Sequence, residues 1–194
     1  MSSTPRATLG VLWGKSDPHT SLLQHLLDTA AVAERIWDGY LAPAVRDRLD
    51  TCSGGRGRSL LALLCGLHDL GKATPAFQDK VPPLADAVRA TGLHWRSLSG
   101  SARSWHHPLA GALIARTVLS SAGWDTPTIR WVWPLIAGHH GMVPGADAIR
   151  PPTPDAHGRG PAWGGCQHDL VDAVAEALGL DLTTIAPTST PRRA

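Results

Sequence analysis

The chain has 194 residues, 43% hydrophobic and 18% charged, with a formal net charge of +2. That is enough for one ordinary globular domain with a real core, and the charge is too mild to announce nucleic acid by itself. No apolar stretch is long enough, or free enough of charge, for a membrane helix, and the N-terminal MSSTPRATLG lacks the apolar segment of a signal peptide.

Strand signals are nearly absent. Residues 20–41, TSLLQHLLDTAAVAERIWDGYL, carry apolar residues at helical spacing, with Thr20 or Ser21 as the cap. The stretch 42–58 ends in a glycine-rich basic loop, CSGGRGRS. Residues 59–70 are rich in Leu and Ala with no β-branched residue, which predicts a second helix that Gly71 can end. Thr74 and Pro75 suit the cap and first turn of a short helix, and residues 81–105 read as a short helix and a loop. HHPLAGALIARTVLSSAG starts a helix at Pro108. DTPTIRWVWPLIAGHHG gives another, capped near Thr126, with Pro127 in its first turn and a kink at Pro134. Residues 141–165, rich in Pro and Gly, read as a long irregular connection, CQHDLVDAVAEALG as a last amphipathic helix, and APTSTPRRA as a loose polar tail. The expected fold is all-α, one domain over residues 1–194 with 186–194 loose. Cys52, Cys65 and Cys166, an odd number without metal-type spacing, fit free thiols in a reducing cytosol.

The second helix carries unusual polarity into an apolar run, in the stretch GLHDLGKA at 66–73. Gly66, Gly71 and Lys72 nearly meet the phosphate-loop pattern. Ala73 stands where the magnesium-binding hydroxyl is needed, and the preceding segment is a helix rather than a strand, so that reading fails. The ten histidines explain more. His25 lies between leucines of the first long helix, His68 and Asp69 end the second, His106 and His107 sit where a helix begins, and His139 and His140 close the proline-containing one. Each alone admits a structural reading, as a core-edge histidine, a cap or a partner for a helix dipole. Together, in the order H…HD…H…HH and each in an apolar helix, they read as a metal centre, because imidazole suits Zn, Fe, Mn, Co and Ni and a carboxylate can bridge two ions. Such a pair of ions makes a site for phosphoester hydrolysis. His19, His94 and His157 read as surface residues, and the second pair, His168 and Asp169, as solvated.

That order resembles the HD superfamily of metal-dependent phosphohydrolases. LWGKSDPHTSLLQHLLDTAAVAERIW, LLCGLHDLGKATPAFQ, HHPLAGALIA and LIAGHHG, spread from Leu12 to Leu182, resemble more narrowly the HD nuclease domain of the CRISPR-associated helicase-nuclease that the type I surveillance complex, Cascade, recruits. The LWGKS lead and the GKATPAFQ extension are its most specific parts. The resemblance implies a helical HD domain with a two-metal cleft. One metal would take His25, His68 and Asp69, and Asp69 would bridge to a second held by His107, His139 and His140. His107 matches better than His106 because a small residue, Gly111, follows it by four. Lys72 would be a point charge for the reacting groups. The cofactors implied are two divalent transition-metal ions, Fe, Mn, Co or Ni in preference to Mg. The partners implied are single-stranded DNA, Cascade, and the helicase part of the same enzyme in cis or in trans. The setting is cytoplasmic, with no membrane.

Two departures stand out. The helicase motor that normally follows is absent from this sequence, so it reads as a fragment or a stand-alone subunit. The family also supplies a final aspartate to the first metal in an Ala-Asp-Trp context, and no such triplet occurs here; Asp169, Asp172 and Asp181 fall too early. The expected function is a metal-dependent nuclease acting on single-stranded DNA in CRISPR interference. The alternatives are an HD-type nucleotide phosphohydrolase and a non-catalytic docking domain with an incomplete metal site.

Overall fold

The computed structural model describes residues 5–189. Helix α1 (Pro5–Val11) leads into two short antiparallel strands, β1 (Trp13–Ser16) and β2 (His19–Ser21), paired Trp13 to Ser21, Lys15 to Thr20 and Ser16 to His19. Then follow α2 (Leu22–Gly39), α3 (Pro43–Ser53), α4 (Gly57–Gly66), a 3₁₀ turn (Leu70–Lys72), α5 (Pro75–Gln78), α6 (Pro82–Ala90) and α7 (Gly100–Arg103). The chain continues through α8 (His107–Ser121), α9 (Thr126–Ala137), a second 3₁₀ turn (Ala146–Ile149), α10 (Pro154–His157), α11 (Pro161–Ala177) and α12 (Leu182–Ile185). The fold is all-α in character, as expected, with the hairpin as its one sheet among the described residues. No helix among them is long and apolar enough to cross a membrane.

The core forms where α2, α4, α8, α9 and α11 meet. Leu22 and Leu26, Leu60 and Leu63, Ile114 and Val118, Val132 and Ile136, and Leu170 and Val174 are all buried there, each pair three or four positions apart on its helix. Truncating one of these leucines to alanine would cost about 2–5 kcal/mol. Gly66 lets α4 approach its neighbours closely: an added Cβ would stand 3.2 Å from Val174 and 3.3 Å from Ala30. Several of the eight tryptophans are buried with their indole N–H satisfied by a carbonyl, as in Trp124 to Leu182 at 2.7 Å and Trp163 to His94 at 3.0 Å.

Six local expectations are corrected. The hairpin at 13–21 carries no alternating hydrophobic pattern and turns at Asp17–Pro18; it is held by packing and by side-chain bonds from elsewhere. The expected loop CSGGRGRS is shortened, because Cys52 and Ser53 end a helix over 43–53 with Pro43 at its first position, and Gly54 in the left-handed conformation closes it at φ 63°. α4 stops at Gly66 instead of running to Leu70, because the chain tightens: His68 N–H bonds Cys65, Leu70 bonds Leu67, Lys72 bonds Asp69 and Ala73 bonds Leu70, all three residues back. α9 is capped by Asp125, whose carboxylate accepts from the Thr128 N–H at 2.8 Å, one residue earlier than Thr126. The Pro- and Gly-rich stretch 141–165 contains the second 3₁₀ turn, α10 and the start of α11 at Pro161, which the helix-starting role of proline explains. Residues 186–189 of the expected loose tail are tied down where Thr188 N–H donates to the Cys52 carbonyl at 2.8 Å; the rest of that tail, 190–194, lies outside the described residues.

Candidate metal centre

The short turns from Cys65 to Ala73 build the centre of the site. In 3₁₀ geometry side chains three apart eclipse one another, so Asp69 and Lys72 project together, and Lys72 Nζ lies 2.9 Å from Asp69 Oδ2. Gly71 is required here. An added Cβ would fall 1.8 Å from the carbonyl oxygen of His107 and 2.3 Å from the Gly111 nitrogen, so this turn docks backbone to backbone on the first turn of α8. That docking carries His107 to Asp69. Gly111, four residues on, is the small residue the approach needs.

Asp69 is buried and meets four imidazoles. His25 Nε2 is 2.7 Å from its Oδ2 and His68 Nε2 is 3.1 Å from the same oxygen. His107 Nε2 and His139 Nε2 face the other oxygen, Oδ1, at 3.0 and 3.3 Å. The rings pack edge to face around it, with centroids 5.2 Å apart for both His25–His68 and His68–His139, and 4.4 Å for His139–His140. Two backbone carbonyls orient the rings: His68 Nδ1–H donates to Cys65 at 2.9 Å and His139 Nδ1–H to Ile136 at 2.7 Å, tautomers assigned from these bonds. Each ring's Nε2 lone pair is thereby turned to the carboxylate, the usual arrangement for an imidazole metal ligand. Asp69 is held well below the usual carboxylate range. Burial by itself would raise it, and His107, His139, His68 and Lys72 around it outweigh that. Burial lowers His25 and His107, so both stay neutral and able to ligate. His139 is also opposed by burial, but Asp69 and the Ile136 carbonyl turn its net shift upward.

Two ligand groups result: Asp69 with His107, His139 and His140, and His25 with His68 and Asp69, each with donor atoms within 4.8 Å of one another. The residues fit a metal on an observation that needs no analogy. Asp69 Oδ1, His107 Nε2 and His139 Nε2 are buried and have no hydrogen-bond partner among the described residues, though they point at one another. Buried polar atoms left in that state are costly unless a cation sits among them.

Of the histidines weighed against this set, His106 is exposed beside His107, His19 is exposed at the start of β2, and His94 is exposed in a loop. His157 corrects its expected surface position: it is half-buried at the end of α10, stacked edge-on against Trp105 at 5.9 Å, because α10 packs under α5 and α7. His168 and Asp169 are half-buried on α11 and belong to neither group. Asp181 caps α12 and accepts from Thr183 N–H at 2.8 Å, and neither it nor Asp172 joins the site.

Residue-by-residue reading of the sequence did not find the supports of Lys72. Lys72 Nζ donates to the Gly14 carbonyl of the hairpin at 2.9 Å. Gln78, wholly buried, ties that hairpin to the turn: its Nε2 donates to the carbonyls of Trp13 at 3.0 Å and Lys72 at 2.8 Å, and its Oε1 accepts from Trp13 N–H at 3.3 Å. The segments LWGKS and GKATPAFQ are thus two halves of one lock around the lysine. The signal was a glutamine at the end of an otherwise apolar short helix.

A family model described as the HD domain of Cas3 matches residues 13–194. The CRISPR-associated endonuclease/helicase Cas3 of Thermus thermophilus is 30% identical over 176 residues, covering 88% of this chain and 19% of its own length. A crystal structure of a CRISPR-associated protein superposes with a TM-score of 0.82 at 31% identity, covering 97% of this chain and 22% of that one. The Thermus thermophilus Cas3 HD domain crystallised in the presence of Ni²⁺ shares the fold, with a TM-score of 0.70 at 24% identity over 97% of this chain and 70% of its own. The chain therefore spans about a fifth of the length of the curated relative it matches.

Proposed function

The chain belongs to the family of Cas3 HD domains, and on that premise we propose that it acts as one HD nuclease domain that hydrolyses phosphodiester bonds of single-stranded DNA in CRISPR interference. The observation that carries this reading is the buried carboxylate of Asp69, whose two oxygens each face imidazoles of a separate ligand group. His25, His68 and Asp69 would hold one divalent ion, and Asp69, His107, His139 and His140 the other, with Asp69 shared. The donor set, mostly imidazole, favours Fe, Mn, Co or Ni over Mg. When bound, two such ions lower the pKa of water and neutralise charge developing on the phosphate.

The chain's own residues prepare for this. Cys65 and Ile136 carbonyls fix the imidazole tautomers, and the depressed pKa of Asp69 keeps it anionic at every working pH. Lys72, anchored between Gly14 and Asp69, supplies a fixed positive charge at the edge of the ligand set, where a phosphate oxygen would gain charge. Cascade and a helicase part, in cis or in trans, are the partners proposed for the chain, and the cytoplasm its setting.

One observation favours a second reading. The first ligand group has three donors and no further carboxylate from the described residues, which would suit a docking domain whose metal site has decayed. Metal content of the purified chain together with cleavage of circular single-stranded DNA in Mn²⁺ separates the two. Bound metal and cleavage, both lost in Asp69→Ala, support the nuclease; a metal-free chain that cleaves nothing supports docking.

A further inference from the structure

The outer face between α8 and α9 carries a groove that starts at the metal ligands and is bridged partway by the second 3₁₀ turn. α8 begins at His107, and α9 ends two residues before His139, so both helices run away from the site together. Beside the ligands the groove is apolar. A stretch of about 470 Å³ is walled by His107 and His140 and lined by Leu109, Ala137, Met142 and Val143. Met142 and Val143 are 83% and 68% exposed, unusual for side chains of that kind with nothing over them. Farther along, a stretch of about 870 Å³ is lined by Arg116 and Thr117 from α8 and by Thr126, Arg130 and Trp133 from α9. The second 3₁₀ turn separates the two stretches: Ile149 is buried against Leu109 and Ala112 of α8 and Trp133 and Ala137 of α9, Ala148 lines the first stretch and Ala146 the second.

We propose that this groove is the track of the single DNA strand, with bases against the apolar stretch beside His107 and His140 and backbone phosphates held by Arg116 and Arg130. The proposal rests on the nuclease reading above and adds where the substrate lies. Arg116 and Arg130 stand exposed on opposite walls, and neither makes an ion pair or side-chain hydrogen bond with another described residue. No acidic side chain lines either stretch, and Asp147, exposed on the turn between them, is 3.8 Å from Arg150. Two free guanidinium groups, the hydroxyl of Thr126 and a half-buried tryptophan are what a polyanion with stacking bases calls for. The apolar stretch offers few hydrogen-bonding groups to a base edge, so it would accept any base, as a sequence-tolerant nuclease needs. From His107 to Arg116 the helix rises about 14 Å, roughly four nucleotides at stacked spacing. The strand would be gripped there, pass over the 3₁₀ turn and reach the site across the apolar stretch.

Fluorescence anisotropy of a labelled twelve-residue oligothymidine, without added metal, tests the track independently of cleavage. The R116A/R130A double variant should bind several-fold more weakly at low salt, and its log–log salt dependence should be shallower by about 1.4, the share of two phosphates on a single strand. Met142→Asp, at an exposed position that does not threaten the fold, should weaken binding as well, by placing a carboxylate in the path. Arg35→Ala, on α2 outside the groove, should leave binding unchanged. A wild-type chain that ignores the oligonucleotide, or a double variant with unchanged affinity and salt slope, overturns the track and assigns this face to a protein partner. Binding that behaves as expected in a chain that never cleaves DNA keeps the track and counts against the nuclease reading.

Discussion

The two oxygens of Asp69 stand in different surroundings. On the Oδ2 side the protein has already answered the charge: His25 bonds it at 2.7 Å, Lys72 pairs with it at 2.9 Å, and only three donors assemble. On the Oδ1 side four donors assemble, and three of their atoms are buried without partners. A cation entering the Oδ1 side satisfies orphaned atoms. One entering the Oδ2 side must displace existing contacts and share its carboxylate oxygen with an ammonium. Sites with similar residue types therefore need not have similar affinity; what decides is how much of each site the apo protein has already neutralised.

The substitution that removes the comparison altogether has the largest expected effect. Asp69→Ala takes the shared carboxylate from both sides, so it should abolish metal binding and DNA cleavage while circular dichroism shows the helical content intact. His139→Ala should break the comparison from the Oδ1 side, weakening the tighter metal about 100-fold or more, since even supporting partners cost 10- to 100-fold. His25→Ala should leave that tighter metal nearly unchanged and remove the weaker one. Lys72→Met should tighten the weak site, its competing charge gone, while cleavage falls; if both sites keep their affinities, the lysine does not compete with metal. The pH effect is the smallest. A ligand must be a neutral imidazole, and the upward shift of His139 means it takes up a proton before His25 and His107 as pH falls. Burial holds His25 and His107 neutral to lower pH. Metal at the Oδ1 side should therefore begin to weaken while the pH is still above about 6.5, the ordinary imidazole value, as read by titration at several pH values.

Much of this was legible in the sequence, and for identifiable reasons. α2, α8 and the body of α11 show in their helical spacing, and the convergence of the histidines follows from their common place at helix ends. The preference for His107 over His106 came from the resemblance, through Gly111, and Gly111 is the residue that lies against the Gly71 turn. The hairpin was not legible, because strands of four and three residues carry no periodicity and are stabilised from outside, by Gln78. Nor was the end of α4, because the switch to 3₁₀ turns is dictated by contact with α8, a residue pairing some 36 positions away that local propensity does not encode. The same holds for His157: helix α10 has four residues, and only packing keeps it.

Calorimetric titration of the chain with Mn²⁺, run in parallel on wild type and His139→Ala, bears most directly on the claim that the Oδ1 side is the principal metal site. The wild type should show one tight and one weak site, and the variant should lose the tight one. Two equally tight sites in the wild type, or a tight site that survives in His139→Ala, would contradict it.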